Sequence, residues 1–233
     1  MNNKLLSKAD LTAMACDDWY ERSKDVLGKN LHSGGIDLVG QIIKNIQFKP
    51  QRVLEIGCCN GWRLNNLKKE YGCDVAGIDP SPKAIEAAKL RIGDTVTVGT
   101  AQVLPWGDGT FDTVIFAYSL WMIEPSDLFR VAMEADRVLQ LGGVLIIQDR
   151  YTARGVSVQY GQIETGQTFY TFSCDFPKLW LGHPGYLQMA EIAFKVGTLE
   201  VTTAIRKVMA FSQGPPMNVG GVGWQPPAPV VSS

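Results

Sequence analysis

Residues 53–62 read Val-Leu-Glu-Ile-Gly-Cys-Cys-Asn-Gly-Trp. The first four suit a short buried strand, Gly57 allows a tight turn, and Gly61 opens a helix. Such a strand-loop-helix lets a ligand lie against bare backbone, because no Cβ blocks the approach. The helix N-terminus adds unpaired N–H groups that favour a negatively charged ligand group. Eighteen residues past Gly61 stands Asp79, at the end of a second apolar stretch, Val75 to Ile78. An acidic residue at about that distance suits hydrogen bonds to a ribose. Together these residues outline a nucleoside-binding crevice at the carboxyl ends of parallel strands.

The elements that must position this crevice follow from the pattern around it. Strands are expected at Gln51 to Ile56, Cys73 to Ile78, Thr95 to Val98, Phe111 to Ala117 and Val144 to Gln148. Between them fall a helix from Gly61 burying Trp62, Leu64 and Leu67 and stopping at Gly72, and a helix from Ser81-Pro82 to about Arg91. A third helix, capped by Ser126, carries the stripe Leu128, Val131, Ala135 and Val138 and stops at Gly142-Gly143. Asp112 is expected on the solvent side. The order β-α-β-α-β-β-α-β over residues 51–149 argues for an α/β fold with a doubly wound sheet. Ahead of it, a helix is expected to start at Asp17 or Asp18. A second carries Ile36, Val39, Ile43 and Ile46 and ends near Phe48, before Pro50. Behind it, residues 150–176 show no clear period, about Tyr186 to Val196 reads as a short helix, and Leu199 to Phe211 is β-prone.

The chain has 233 residues, enough for one α/β domain with some decoration. Its 45% apolar and 19% charged residues are those of an ordinary globular protein, and a net charge of −1 gives no reason to expect wholesale binding to nucleic acid or anionic membrane. No apolar run approaches the roughly 20 residues of a membrane helix, and residues 1–12 lack the apolar centre of a secretory signal. Five cysteines without a Cys-x-x-Cys pair read as free thiols, implying a cytoplasmic protein. With only His32 and His183 as histidines, no metal site is expected.

Four ordered landmarks between residues 50 and 150 resemble the class I S-adenosylmethionine-dependent methyltransferases, of the type 11 or 25 kind. They are Val53–Gly61, then Gly77-Ile78-Asp79, then Gly99-Thr100-Ala101-Gln102 with Leu104-Pro105-Trp106 and Phe111-Asp112, and last Arg137-Val138-Leu139 with Gly142-Gly143-Val144-Leu145. The resemblance implies a mostly parallel, Rossmann-like seven-stranded sheet and S-adenosylmethionine as cofactor. It implies that Gly57, Cys58 and Gly61 line the methionine part through backbone, and that Glu55 orients the loop or the methionine ammonium. Asp79 would hold both ribose hydroxyls, Pro80 and Ser81 would edge the adenine, and Ala101 and Gln102 would lie along it. Tyr118 would close the pocket near the sulfonium. Three positions depart from the pattern: Cys59 replaces the middle glycine, Thr100 stands where an acidic residue commonly reads adenine, and Trp121-Met122 stands where some members carry histidines. Residues 150–190, with Phe176-Pro177-Lys178-Leu179-Trp180-Leu181-Gly182-His183-Pro184-Gly185-Tyr186, are similar to members found with surface-polysaccharide genes.

The sequence is therefore expected to specify a methyltransferase acting on a small molecule, with a sugar or nucleotide-sugar as the finer reading. Its expected parts are a helical cap over 1–49, the cofactor-binding core over 50–150, a substrate-side insertion and final strands over 151–213, and a Pro/Gly-rich tail over 214–233. Trp19, Tyr20, His32, Asp149, Arg150, Tyr151 and His183 are further substrate-side candidates, each with a structural alternative; Asp149, for instance, could cap a loop. No catalytic base is assigned, and methyl transfer does not always require one, since the cofactor brings the activation. Two other readings stay open. A nicotinamide-dependent oxidoreductase would want Gly-x-Gly-x-x-Gly, which the loop lacks; a non-catalytic cofactor-binding or scaffold protein would explain Thr100. The oligomeric state is not legible.

Overall fold

The structure, a computed structural model, describes residues 7–27, 37–162, 168–196 and 198–208. Helix α1 spans Lys8–Ser23 and α2 Leu38–Asn45. The core then runs β1 (Arg52–Ile56), α3 (Trp62–Tyr71), β2 (Asp74–Asp79), α4 (Pro82–Ile92), β3 (Val96–Val98), β4 (Phe111–Ala117), α5 (Leu128–Val138) and β5 (Leu139–Arg150). A hairpin of β6 (Val156–Gln162) and β7 (Thr168–Ser173), a short α6 (Lys178–Leu181), and β8 (Tyr186–Val196) with β9 (Thr198–Lys207) follow. His32, Gly34-Gly35, Ile36 and the tail at 214–233 lie outside the described residues.

Seven strands form one sheet in the order β3-β2-β1-β4-β5-β9-β8. β1 to β5 pair in parallel, and β9 inserts antiparallel between β5 and β8. Strand order reverses between β1 and β4, which opens a crevice beyond the carboxyl ends there. Successive side chains alternate between two cores. Leu54, Ile56, Val114, Phe116, Leu145 and Ile147 face α5 and α6, whereas Val53, Ile115, Val144 and Ile146 face α2, α3 and α4. All seven residues of β4 are buried, as a strand covered on both faces requires.

Several sequence expectations are corrected. α1 begins nine residues before Asp17, at a capping box in which Ser7 accepts from the Asp10 N–H and Asp10 accepts from the Ser7 N–H. Residues 186–196 are a strand, not a helix: β9 presents a free edge, and pairing from Tyr186↔Lys207 to Val196↔Thr198 overrides the helical propensity of Leu-Gln-Met-Ala-Glu. The unperiodic stretch after Asp149 contains the β6-β7 hairpin. α5 lacks a Ser126 cap; Ser126 lies in a 3-10 turn, and the helix ends at Val138, so Gly142-Gly143 fall inside β5. Asp112 is buried rather than solvent-side, and accepts the Gln51 and Arg52 N–H groups at 2.9 and 3.0 Å. In α3 Trp62 is half-buried, and Arg63 joins Leu64 and Leu67 inside.

Candidate active site

The carboxyl ends of β1, β2, β4 and β5 open on one cavity of about 470 Å³. Its floor is the loop after β1. Gly57 takes φ +81°, and a Cβ there would collide with the Ser119 side chain, whose Oγ donates to the Ile56 carbonyl at 2.7 Å. The Gly57 and Cys58 N–H groups both donate to the Ile78 carbonyl, at 2.8 and 3.1 Å, so the loop is stitched to β2. Cys59, at φ +49°, donates its N–H to Asp79 Oδ2 at 2.9 Å. Ser81 donates its N–H to Asp79 Oδ1, also at 2.9 Å. Asp79 thus ties together the loops after β1 and β2. It is 8% exposed and has no ion pair among the described residues. Burial pushes its carboxyl up to about 6, against the pull of the two N–H groups.

Glu55 lies beneath the same loop, 1% exposed, and pairs with the Arg63 guanidinium through Oε1. Its Oε2 is buried without a hydrogen-bond partner among the described residues. Burial pushes this carboxyl up to about 7, with Arg63 pulling the other way. Arg63 also rests on the Trp62 ring, 4.5 Å from its centroid. Burial pushes the Cys58 thiol well above its ordinary value, the environment of a structural rather than a reactive cysteine.

Two elements roof the cavity. α1 contributes Cys16, Trp19 and Tyr20 to the lining. It is latched at its start by Lys8, which reaches Glu124 at 3.0 Å and Asp127 at 2.9 Å, and farther along by Asp17, which accepts from Ser81 Oγ and from the Lys83 N–H at 3.2 Å. Asp17 so caps the N-terminus of α4 from outside. Loss of such a cap costs about 1 kcal/mol. Asp17→Ala is therefore expected to speed amide exchange in α1 roughly fivefold by local opening while leaving the melting midpoint of the core in place. Exchange unchanged in α1 would show that the latch holds nothing. From the other side, Thr168, Tyr170 and Phe172 of β7 point every second residue into the cavity.

Between the roofs stand Tyr118, Trp121 and Arg150. Tyr118, at φ +57°, donates its hydroxyl to Glu200 and accepts from Gln148 Nε2 at 3.0 Å. The Trp121 Nε1–H donates to the Tyr118 carbonyl at 2.7 Å, and the Arg150 guanidinium lies over the Trp121 ring, 4.3 Å from its centroid.

Of the residues expected from sequence, Glu55, Gly57, Cys58, Asp79, Pro80, Ser81, Ala101, Gln102 and Tyr118 line this cavity together, as do Trp19, Tyr20, Thr100, Trp121, Met122 and Arg150. Gly61 does not; it stands behind the loop, its N–H on the Cys58 carbonyl at 2.9 Å, where a Cβ would press on Ile92. Asp149 takes the structural part of its two readings: wholly buried, it accepts the Trp121 and Arg150 N–H groups at 3.2 and 2.8 Å. His183 accepts the Gly185 N–H at 3.1 Å in a turn away from the cavity. Sequence reasoning missed Arg63, Asp17 and the β7 face. Among the described residues no three or more His, Cys, Asp or Glu side chains cluster as a metal site, and no helix is long and apolar enough to cross a membrane.

The sheet order, the glycine loop and the two buried carboxylates Glu55 and Asp79 are the features of a nucleoside-binding crevice. A family model described as a methyltransferase domain matches residues 54–147. Over 183 residues, 75% of this chain and 85% of the relative, the sequence is 28% identical to an uncharacterised methyltransferase of Synechocystis sp.; it spans 38% and 53% of the length of other curated relatives. Among solved structures, the PH0226 protein of Pyrococcus horikoshii matches with a TM-score of 0.63 at 24% identity, covering 82% of this chain and 98% of that one. The 1,6-didemethyltoxoflavin-N1-methyltransferase of Burkholderia thailandensis, solved with bound 1,6-didemethyltoxoflavin and S-adenosylhomocysteine, matches with a TM-score of 0.64 at 16% identity over 90% and 94% of the two chains. Residues 54–147 thus match a methyltransferase domain, the fold is that of S-adenosylmethionine-dependent methyltransferases, and S-adenosylmethionine is the cofactor these matches support.

Proposed function

We propose that this protein methylates a small molecule held in the cavity between α1 and the β6-β7 hairpin, with the cofactor along β1 and β2. The observation that carries the assignment is the state of the two carboxylates. Among the described residues Glu55 Oε2 is buried with no partner, and Asp79 has accepting capacity left beyond its two backbone N–H groups. Glu55 suits the methionine ammonium and Asp79 the ribose hydroxyls. Gly57 and Cys58 offer backbone to the methionine part, Pro80, Ser81, Ala101 and Gln102 flank the adenine, and Tyr118 faces the sulfonium. When bound, S-adenosylmethionine supplies a methyl group already activated for in-line displacement. The chain's own residues align the partners and exclude water under the two roofs, and none is assigned as a base.

The sugar or nucleotide-sugar reading draws no support from the segment that prompted it. Phe176 and Trp180 are 1% and 2% exposed, packed in the core with α5, and Phe176–Tyr186 lends the cavity no wall.

Calorimetric titration with S-adenosylmethionine and S-adenosylhomocysteine, with NADH as control, tests the cofactor assignment. Micromolar binding of the first two alone is expected. Both carboxylates receive donors from the ligand, so the ligand favours their ionised forms and lowers their pKa values. In the free protein these stand near 7 for Glu55 and 6 for Asp79. Affinity is thus expected to be flat above pH 8 and to fall as pH drops from 7 to 5, approaching about tenfold per unit for each group that must lose a proton. An affinity independent of pH over that window would detach both carboxylates from the ligand.

A further inference from the structure

The far end of the cavity has a composition of its own. Arg150 ends β5, two strands beyond the β1 loop, and its guanidinium lies over the Trp121 ring, 4.3 Å from the centroid. Stacking fixes the plane but leaves the in-plane N–H donors unspent. Among the described residues this guanidinium has no ion pair and no hydrogen bond. Asp149, next in the chain, and Glu200, the partner of Arg150 across the sheet, both hold other donors. Asp149 takes the Trp121 and Arg150 backbone N–H groups, and Glu200, opposite Arg150 across the β5-β9 pair, takes the Tyr118 hydroxyl. The other cavity-lining guanidinium, Arg63, is paired with Glu55, and Lys8 is paired with Glu124 and Asp127. A half-buried, pre-oriented fork of donors facing a cavity calls for a bidentate anion. The walls around it are Trp121, Met122, Tyr170 and Phe172, whose flat or adaptable faces favour a planar, apolar body.

We propose that the cavity beside Arg150 is the acceptor subsite and that it selects a planar aromatic carboxylate, with Arg150 as the residue that reads the carboxylate. This rests on the cofactor lying along β1 and β2, which leaves the β5 end for the acceptor. The class of acceptor is thereby an aryl or cinnamyl-type acid, whose ring lies against Tyr170 and Phe172.

The test is calorimetry on the full chain saturated with S-adenosylhomocysteine, titrated with benzoate, 4-hydroxybenzoate and trans-cinnamate, and with benzamide and cinnamamide as neutral isosteres. At least one acid is expected to bind at least tenfold more tightly than its amide. Arg150→Gln is expected to erase that preference while S-adenosylhomocysteine affinity stays within twofold. If the loaded protein binds none of the acids, or binds the amides as tightly, the proposal is overturned. Inorganic phosphate binding as tightly as the acids would show a bare anion site and overturn the aromatic part. A tenfold loss of S-adenosylhomocysteine affinity in Arg150→Gln would reassign Arg150 to the cofactor's carboxylate and overturn it too. Failure of the wild-type chain to bind S-adenosylhomocysteine is a separate result, which removes the cofactor placement and this inference with it.

Discussion

Asp79→Ala should weaken S-adenosylhomocysteine binding more than about 100-fold. A hydrogen bond to a charged group contributes about 1.5–3 kcal/mol, and two ribose hydroxyls on one carboxylate therefore contribute about 3 kcal/mol or more, or roughly 150-fold. The same carboxylate holds the Cys59 and Ser81 N–H groups at 2.9 Å, so its removal also loosens the two loops that shape the cavity floor. Asp79→Asn separates the two contributions. It retains one carbonyl acceptor and the size of the side chain but loses the charge, so an intermediate loss of about tenfold is expected. Calorimetry on the three proteins, with circular dichroism as a check on folding, decides the matter. Wild-type affinity in the alanine variant would show that the ribose does not sit on Asp79.

The second large effect concerns stability. Arg63→Ala leaves Glu55 buried without its cation, and breaking a buried ion pair by removing one partner costs about 3–5 kcal/mol. For a chain of this size that is a melting point lower by roughly 10 °C. The sign with pH follows from burial. The Glu55 carboxyl already titrates near 7 in the folded protein, above its ordinary 4.5, and loss of Arg63 raises it further. A raised carboxyl pKa means that the folded state binds the proton more tightly than the unfolded chain. Stability contributed by that proton is therefore present below about pH 4.5 and lost as pH rises through the folded value. The deficit of Arg63→Ala should accordingly be larger at pH 8 than at pH 6, and Glu55→Gln added to it should recover part of the loss at pH 8. Thermal melts at the two pH values read this directly; a deficit independent of pH would mean that Glu55 is not the group left exposed to the change.

How much of this was legible in the chain depends on how far apart the determinants lie. The β1 loop, Asp79 and the buried runs of β4 and β5 are local patterns and outline the crevice; Pro80, Ser81, Ala101, Gln102 and Tyr118 were implied only by the family resemblance. What failed was non-local. Tyr186 to Val196 has the residues of a helix, and only the open edge of β9 makes it a strand. Asp112 reads as a surface residue until the N–H groups of residues 51 and 52 are brought against it. Arg63 is one charged residue among several in α3, and nothing before folding marks it as the partner of a carboxylate eight positions back. Ser7 and Asp10, by contrast, form a capping box that was readable and overlooked.

The cavity is roofed by two pieces of chain that are separate in sequence and in anchorage. α1 is fastened to α4 and to the loop before α5, whereas β7 belongs to a hairpin that follows β5 and pairs with no strand of the main sheet. Inherited change can therefore act on one without disturbing the other. Substitutions at Tyr170 or Phe172 alter one wall of the cavity and leave Asp79 and the loops it joins untouched, so the two sides can change by separate single steps.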